Sequence, residues 1–422
     1  MTHFLYNIAM YALWGAMKLH ALFNQKTRLA VRGREEWRKR LQEKINALPA
    51  GGKRVWFHAS SLGEFEQGRP VMESLKKSHP DVKIILTFFS PSGYEVRHDY
   101  EGADVIAYLP IDTPRAAADW VKIIKPDAAV FIKYEFWANY LYQINRRGIP
   151  LYLISARFYK ESIFFRSYGG FMRKLLHLFT HIYTQDTRSE ILLDSLGLEN
   201  HSMAGDTRFD RVRDILKQDC SLPFMDTFCK DRKVIVGGSM WEDDYRVMTS
   251  LIKELAPQSD VCYVIAPHNI NREEIEEFRR LLPVTSVCYS QMTPTALREA
   301  RVLILDTIGI LTRVYSYAHI SYVGGGWTPS GIHNVLEPAV FSRPVICGPL
   351  YTPYIEAVGM YKAGGLIVIN DGTTLISAVK NCMYDTDFYN TTARAAGLYV
   401  EQNAGATSRI VKALESSIYP RL

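Results

Sequence analysis

The chain has 422 residues, 47% hydrophobic and 22% charged, with a formal net charge of +6. That length exceeds what one hydrophobic core serves and points to two domains, and the composition excludes disordered, collagenous and disulfide-stapled classes. The whole excess of charge lies in residues 1–44, where nine Lys/Arg meet three Glu; the neutral remainder lacks the spread basic surface of a nucleic-acid binder.

The first predicted element is the apolar run Phe4–Phe23, about the length of a membrane helix. Asn7, Lys18 and His20 interrupt it, and on a helix His3, Asn7, Tyr11, Lys18 and Gln25 fall on one stripe beside a wide apolar face. It lacks a small-residue cleavage site, so it is not read as a signal peptide. With the basic run KTRLAVRGREEWRKR behind it, residues 1–44 read as an interfacial helix and basic segment on an anionic membrane surface. A single spanning helix is the alternative and would also leave the body in the cytosol. An ordinary helix packed on the body is the third reading.

From residue 53 short β-branched or aromatic runs alternate with amphipathic ones: RVWFHAS, KIILTFF, DVIAYLP, AAVFIK, PLYLISA, HIYTQD and HSMAGD. The rhythm pauses over Asp219–Arg232 and restarts with KVIVGGS, CYVIAPH, RVLILD, ISYVGGG, PVICGP and GLIVIN. Such alternation predicts parallel sheets covered by helices. The expected fold is α/β, two Rossmann-like doubly wound domains facing across a cleft, at 45–218 and 219–422. The six cysteines show no CxxC spacing and read as reduced thiols.

Polar and glycine-rich clusters follow the strands, the edge at which doubly wound sheets bind ligands. In HASSLGEFEQGRP, Glu64 stands where the first strand turns into a helix. A carboxylate there is either a helix-start cap or a catalytic group. In the second half, GGGWTPSGIHNVLEPA lets backbone approach a ligand, and a helix start near His333–Asn334 would offer N–H groups to an anion. Asn334 and Glu337 share a helical face and suit a ribose or base edge. Neither a GxxxxGK[ST] nor a placed GxGxxG occurs, which counts against ATP hydrolysis and dinucleotide binding. Asp385 and Asp387 read as solvated turn residues, and His58 and His268 each end a strand.

Seven ordered strings, HASSLGEFEQGRP, TFFSPSGYE, IKYEFW, ISAR, GDTRFD, LDTIGIL and GGGWTPSGIHNVLEPAVFSRPVICGP, resemble those of the 3-deoxy-D-manno-octulosonic acid (Kdo) transferases. The resemblance implies a GT-B fold, CMP-Kdo as donor and a lipid A precursor as acceptor. It also implies a place on the cytoplasmic face of the inner membrane. By it, Glu64 is the catalytic base, while Glu135 and Arg208 stabilise the transition state. The same resemblance assigns nucleotide contacts to Pro267 and His268, to Ile308, Gly309 and Ile310, and to Asn334, Val335, Leu336 and Glu337. The sequence departs from the family's commonest pattern where Arg208 replaces Lys, where Ala266 precedes Pro267–His268, at Ile308-Gly309-Ile310, and at SMWED.

The implied chemistry is a direct, inverting displacement with Glu64 as base. A helix-start position lowers a carboxyl pKa whereas an apolar pocket, to which Phe65 could contribute, raises it. Fixed cations, Arg208 foremost, could balance the single phosphate of CMP and the Kdo carboxylate, so neither cofactor nor metal is expected. The rival enzyme is a GT-B protein acting on a UDP-sugar, as transferase or epimerase; the rival of another class is a membrane-bound sugar-nucleotide binder with a dead site.

Overall fold

The computed structural model describes residues 2–419. Among them the apolar runs become fourteen strands in two sheets, every pairing parallel. The first sheet holds β1 (Arg54–Ala59), β2 (Lys83–Phe88), β3 (Val105–Tyr108), β4 (Ala128–Ile132), β5 (Leu151–Ala156), β6 (His181–Thr184) and β7 (His201–Met203). Its spatial order is β3-β2-β1-β4-β5-β6-β7. The second holds β8 (Lys233–Met240), β9 (Val261–Pro267), β10 (Ser286–Cys288), β11 (Val302–Ile304), β12 (Ile320–Val323), β13 (Val345–Cys347) and β14 (Leu366–Val368). Its order is β10-β11-β9-β8-β12-β13-β14. Strand order reverses between β1 and β4 in one sheet and between β8 and β12 in the other, the position where doubly wound sheets open a ligand crevice.

Alternation along the strands feeds a core on each face of the first sheet. Trp56, Ile85, Phe131 and Leu153 point to one side, and Val55, Phe57, Ile84 and Ile132 to the other. The second face is covered by α4 (Leu62–Ser78) and by the carboxyl-terminal helix Ala406–Ile418, whose Ile410, Leu414 and Ile418 are buried there. The chain therefore divides differently from expectation. One unit runs to Asp210 and resumes at Ala404; the other spans Arg211–Asn403. The expected second domain, 219–422, loses its last helix to the first, because that helix carries an apolar stripe that α4 alone leaves uncovered. Asp210 pins the return: its carboxylate accepts from the backbone N–H of Gly405 at 2.6 Å and of Thr407 at 2.8 Å.

The amino terminus folds as α1 (Thr2–His20), α2 (Gln25–Arg32) and α3 (Trp37–Asn46), ahead of α4 (Leu62–Ser78), all within the first unit. In α1 only the amino-terminal part of the polar stripe faces inward. His3 Nε2 lies 3.0 Å from Asn139 Oδ1, Tyr6 Oη donates to Asp112 at 2.6 Å, and Asn139 Nδ2 donates to Asn7 Oδ1 at 2.9 Å. Burial pushes the Asp112 carboxyl up to about 6 against these donors. Of the expected stripe, His3 and Asn7 dock, while Tyr11 and Lys18 are exposed. The outward face is apolar, with Phe4, Leu5, Ile8 and Leu19 each at least half exposed and Phe23 83% exposed just after the helix. Among the described residues no helix is long and apolar enough to cross a membrane.

Candidate active site

In the first unit the turn after β1 and the turn after β4 bring the predicted carboxylates together. Glu64 is the third residue of α4, and its carboxylate accepts from the backbone N–H of Ser60 and, at 3.2 Å, of Ser61. It therefore does cap the helix, as the simpler reading requires. Capping does not set its proton affinity, however. Burial and the charge of Glu135 outweigh the two N–H donors and Lys133 and push the Glu64 carboxyl up to about 7. Phe65 packs into the core against Phe88 and Tyr100.

Glu135 is 6% exposed and held from two sides. His58 Nε2 stands 3.0 Å from Glu135 Oε2, and Trp137 Nε1 donates to the same oxygen at 2.5 Å. Behind His58, Thr87 Oγ1 lies 2.9 Å from Nδ1 and accepts the Trp56 indole at 2.9 Å. His58 Nδ1 also lies 3.3 Å from Thr87 O, and Thr87 Oγ1 donates to Phe57 O at 3.2 Å, so the imidazole is held at both ring nitrogens. His58 is thus a wholly buried support for Glu135.

Arg208 sits on the helix Thr207–Ile215, and its guanidinium donates to Asp206 Oδ2 from Nε at 2.9 Å and Nη2 at 2.6 Å. Arg157, of the ISAR string, pairs with Asp186 at 3.5 Å. Lys133, which the sequence reading passed over, stands among these groups. Burial and the charges of Arg208 and Arg157 lower its pKa against the pull of Glu64 and Asp206. Its backbone has φ +69°, a left-handed conformation that costs a non-glycine residue and collects at functional sites. The visible signal was its place in KYEFW; the left-handed turn that aims it was not legible.

The second unit gathers the predicted nucleotide segments. His268 stacks on Trp241 at 4.1 Å between centroids and on His333 at 4.5 Å, while Trp241 Nε1 donates to His333 Nε2 at 2.9 Å. Burial and His268 lower His333 to about 4, so it is neutral and accepts that bond. Ile308, 87% exposed, and Gly309 at φ +95° form an open turn ahead of the helix Leu311–Val314, whose Thr312 donates to Glu337 at 2.8 Å. Asn334 Nδ2 donates to Glu337 at 3.0 Å, which joins the two although Asn334 lies outside the helix that carries Glu337. Val335 and Leu336 turn their side chains into the core.

The expected helix start at His333–Asn334 is corrected. The helix is a single turn, Leu336–Ala339, capped by Asn334 through Leu336 N–H at 3.1 Å, and the left-handed Ser342 ends the segment before β13. One turn carries little dipole, so it gives no anion site of its own. The loop instead depends on Asp244, a fully buried residue just past the SMWED string, which the sequence reading missed. Its carboxylate accepts from Tyr322 Oη at 2.6 Å, Trp241 N–H at 2.8 Å and Gly325 N–H at 2.9 Å. A Cβ on Gly324 would stand 2.5 Å from Ser239 O and 2.8 Å from Asp244, so the close approach requires glycine. Asp385 caps the helix Thr386–Asn403 through Phe388 N–H at 2.9 Å, and both Asp385 and Asp387 are exposed, as read. Among the described residues no three His, Cys, Asp or Glu side chains gather as a metal site.

Residues 35–211 match the family model described as 3-deoxy-D-manno-octulosonic-acid transferase (kdotransferase). The 3-deoxy-D-manno-octulosonic acid transferase of Haemophilus influenzae is 24% identical over 401 residues, 90% of this chain and 91% of that protein. The protein of the same name from Aquifex aeolicus is 25% identical over 76% of this chain and 84% of its own. Among solved structures, UDP-GlcNAc 2-epimerase from Neisseria meningitidis aligns over 86% of this chain and 99% of its own, with a TM-score of 0.60 and 17% identity. MurG of Acinetobacter baumannii aligns over 86% and 99%, with a TM-score of 0.51 and 14% identity. At such identities the structures speak for the fold alone, and that fold is GT-B.

Proposed function

We infer that this chain, a member of the Kdo transferase family, is an inverting glycosyltransferase that moves Kdo from CMP-Kdo to a lipid A precursor in lipopolysaccharide biosynthesis. Glu64 takes the proton from the acceptor hydroxyl. The hydroxyl oxygen bonds to the anomeric carbon of Kdo as the bond to the CMP phosphate breaks, and CMP leaves with the electron pair. The observation that carries this reading is a helix-capping carboxylate pushed up to about 7, basic enough to accept a proton near neutrality. Glu135 supplies the charge that raises it. Lys133, with Arg157 and Arg208 behind it, sets fixed positive charge where anionic substrate groups and the developing charge need it.

CMP is held by the second unit, through the Trp241–His268–His333 stack, the Ile308–Ile310 turn and the Asn334–Glu337 pair. The enzyme works at the cytoplasmic face of the inner membrane, where the outward apolar face of α1 lies in the lipid and basic residues behind it meet anionic headgroups. Of the nine basic residues Arg34 is withdrawn from that role, since it is buried and donates to the carbonyls of Leu109, Ala30 and Phe89.

The test is to incubate the protein with CMP-Kdo and a lipid A precursor and weigh the product. Glu64→Gln should keep CMP binding and lose about 10²–10⁴-fold in transfer rate. Near-normal turnover in that variant would leave Glu64 as a cap alone. Tighter binding of UDP than of CMP would favour the rival enzyme.

A further inference from the structure

We propose that a groove beside the acidic site seats one acyl chain of the phosphorylated lipid acceptor, a reading that rests on the transferase assignment above. The groove, about 410 Å³, is walled by Leu13, Ala16 and Met17 of α1, Ala30 of α2, and Phe89 and Pro91 of the turn after β2. These walls are apolar and open outward, so the groove takes a flexible hydrocarbon rather than a sugar or a nucleotide.

Two further features fix the occupant as a chain belonging to an anionic lipid. The mouth is continuous with the exposed apolar face of α1: Ala16 lies on both, and Leu19, Leu22 and Phe23 follow it outward. Lys26 borders the same groove and offers positive charge to a phosphorylated headgroup, with His20 beside it. An uncharged apolar partner would gain nothing from that border.

The far wall touches the site. Ser90 N–H donates to Ser60 O at 2.8 Å, and Ser60 N–H holds the Glu64 carboxylate. Phe89 stacks on Trp137 at 4.6 Å, and the Trp137 indole donates to Glu135. Arg34 keeps this wall in place, donating to Phe89 O at 2.6 Å with its guanidinium 4.7 Å above the Phe89 ring. A chain in the groove therefore lies one residue from each carboxylate's support, which orients the headgroup hydroxyl by holding the tail.

The full chain, reconstituted in vesicles of neutral lipid containing phosphatidic acid with a diazirine on one acyl chain, is irradiated and the labelled residues are mapped. Label on Phe89–Pro91 is expected, reduced severalfold in Ala16→Phe and unchanged in the control Ala12→Phe, whose residue lies on the exposed face outside the groove. In transfer assays Ala16→Phe should raise KM for the acylated acceptor severalfold with kcat little changed, and leave a deacylated sugar-phosphate acceptor unaffected. Label confined to residues 4–23, or equal labelling of Phe89–Pro91 in Ala16→Phe and wild type, overturns the groove. Labelling needs no CMP-Kdo, so the two readings fail separately: transfer without groove label sinks this proposal, and groove label without transfer sinks the transferase assignment.

Discussion

Glu64 illustrates how two environments compete for one proton. Two backbone N–H donors and Lys133 favour its charged form, and burial with Glu135 disfavours it more strongly. Its folded pKa of about 7 stands above the ordinary 4.5, so between those values the folded state holds the extra proton. This group's contribution to stability is fully present below about 4.5 and is lost as pH rises through about 7. Glu64→Gln should remove that loss and raise the unfolding free energy at pH 8 by about 1–3 kcal/mol, read by denaturant unfolding at pH 5 and pH 8. The transfer rate should rise with pH along an acid limb near 7. Glu135→Gln, which removes the repelling charge, should move that limb down by about one pH unit, and Lys133→Met should move it up by a similar amount. An unmoved limb in both variants would mean that another group sets it. Glu64 and Glu135 were legible because each follows a strand in a distinctive string. The pKa was not, because it depends on burial and on a charge 71 positions away.

At the scale of the element, the loop Gly324–Asn334 shows what a motif conceals. Its glycines announce a close approach, but what they approach, Asp244 and Ser239, lies some eighty residues earlier. The predicted helix start failed for a local reason: Asn334 caps after all, yet the segment it caps lasts one turn before Ser342. Strand positions were read almost without error because a parallel strand buried on both faces is a nearly continuous apolar run. Asp244→Asn should test the loop. With the amide oxygen on the N–H groups of Trp241 and Gly325, the NH₂ meets the Tyr322 hydroxyl, which already accepts the Trp327 indole and loses the acceptor for its own proton. We expect a loss of about 1–3 kcal/mol in stability and weaker CMP binding by calorimetry, with membrane association unchanged.

At the scale of the molecule, the amino-terminal block was legible as charge and apolar length, but not in how it attaches. The structure turns the amino-terminal part of the polar stripe of α1 onto Asp112 and Asn139 and leaves the apolar face outward. Deleting the helix would therefore uncover a buried carboxylate as well as remove the proposed membrane contact. Substituting the outward face alone separates these effects. The triple variant Leu5→Glu, Ile8→Glu, Leu19→Glu should release the protein from anionic vesicles in sedimentation, while its unfolding free energy stays within about 0.5 kcal/mol of wild type, as expected for surface positions. Full sedimentation of the triple variant would move the docking surface elsewhere. The two-unit division was legible as a pause in the strand rhythm; the return of the last helix was not, since an amphipathic helix does not say which sheet it will cover.

That return has a consequence for how the protein is made. Residues 211–403 are, in effect, an insertion between the body of the first unit and the helix that completes it. During synthesis the second unit can close as soon as it leaves the ribosome, whereas the first waits for the helix Ala406–Ile418, with the sheet face that this helix covers open until then. α1 is made ahead of both sheets, so on the proposed membrane reading the chain docks while the half that is to carry Glu64 is still open. A released chain ending at residue 403 should accordingly bind CMP and, on the proposed membrane reading, sediment with membranes, yet remain sensitive to protease between residues 54 and 210.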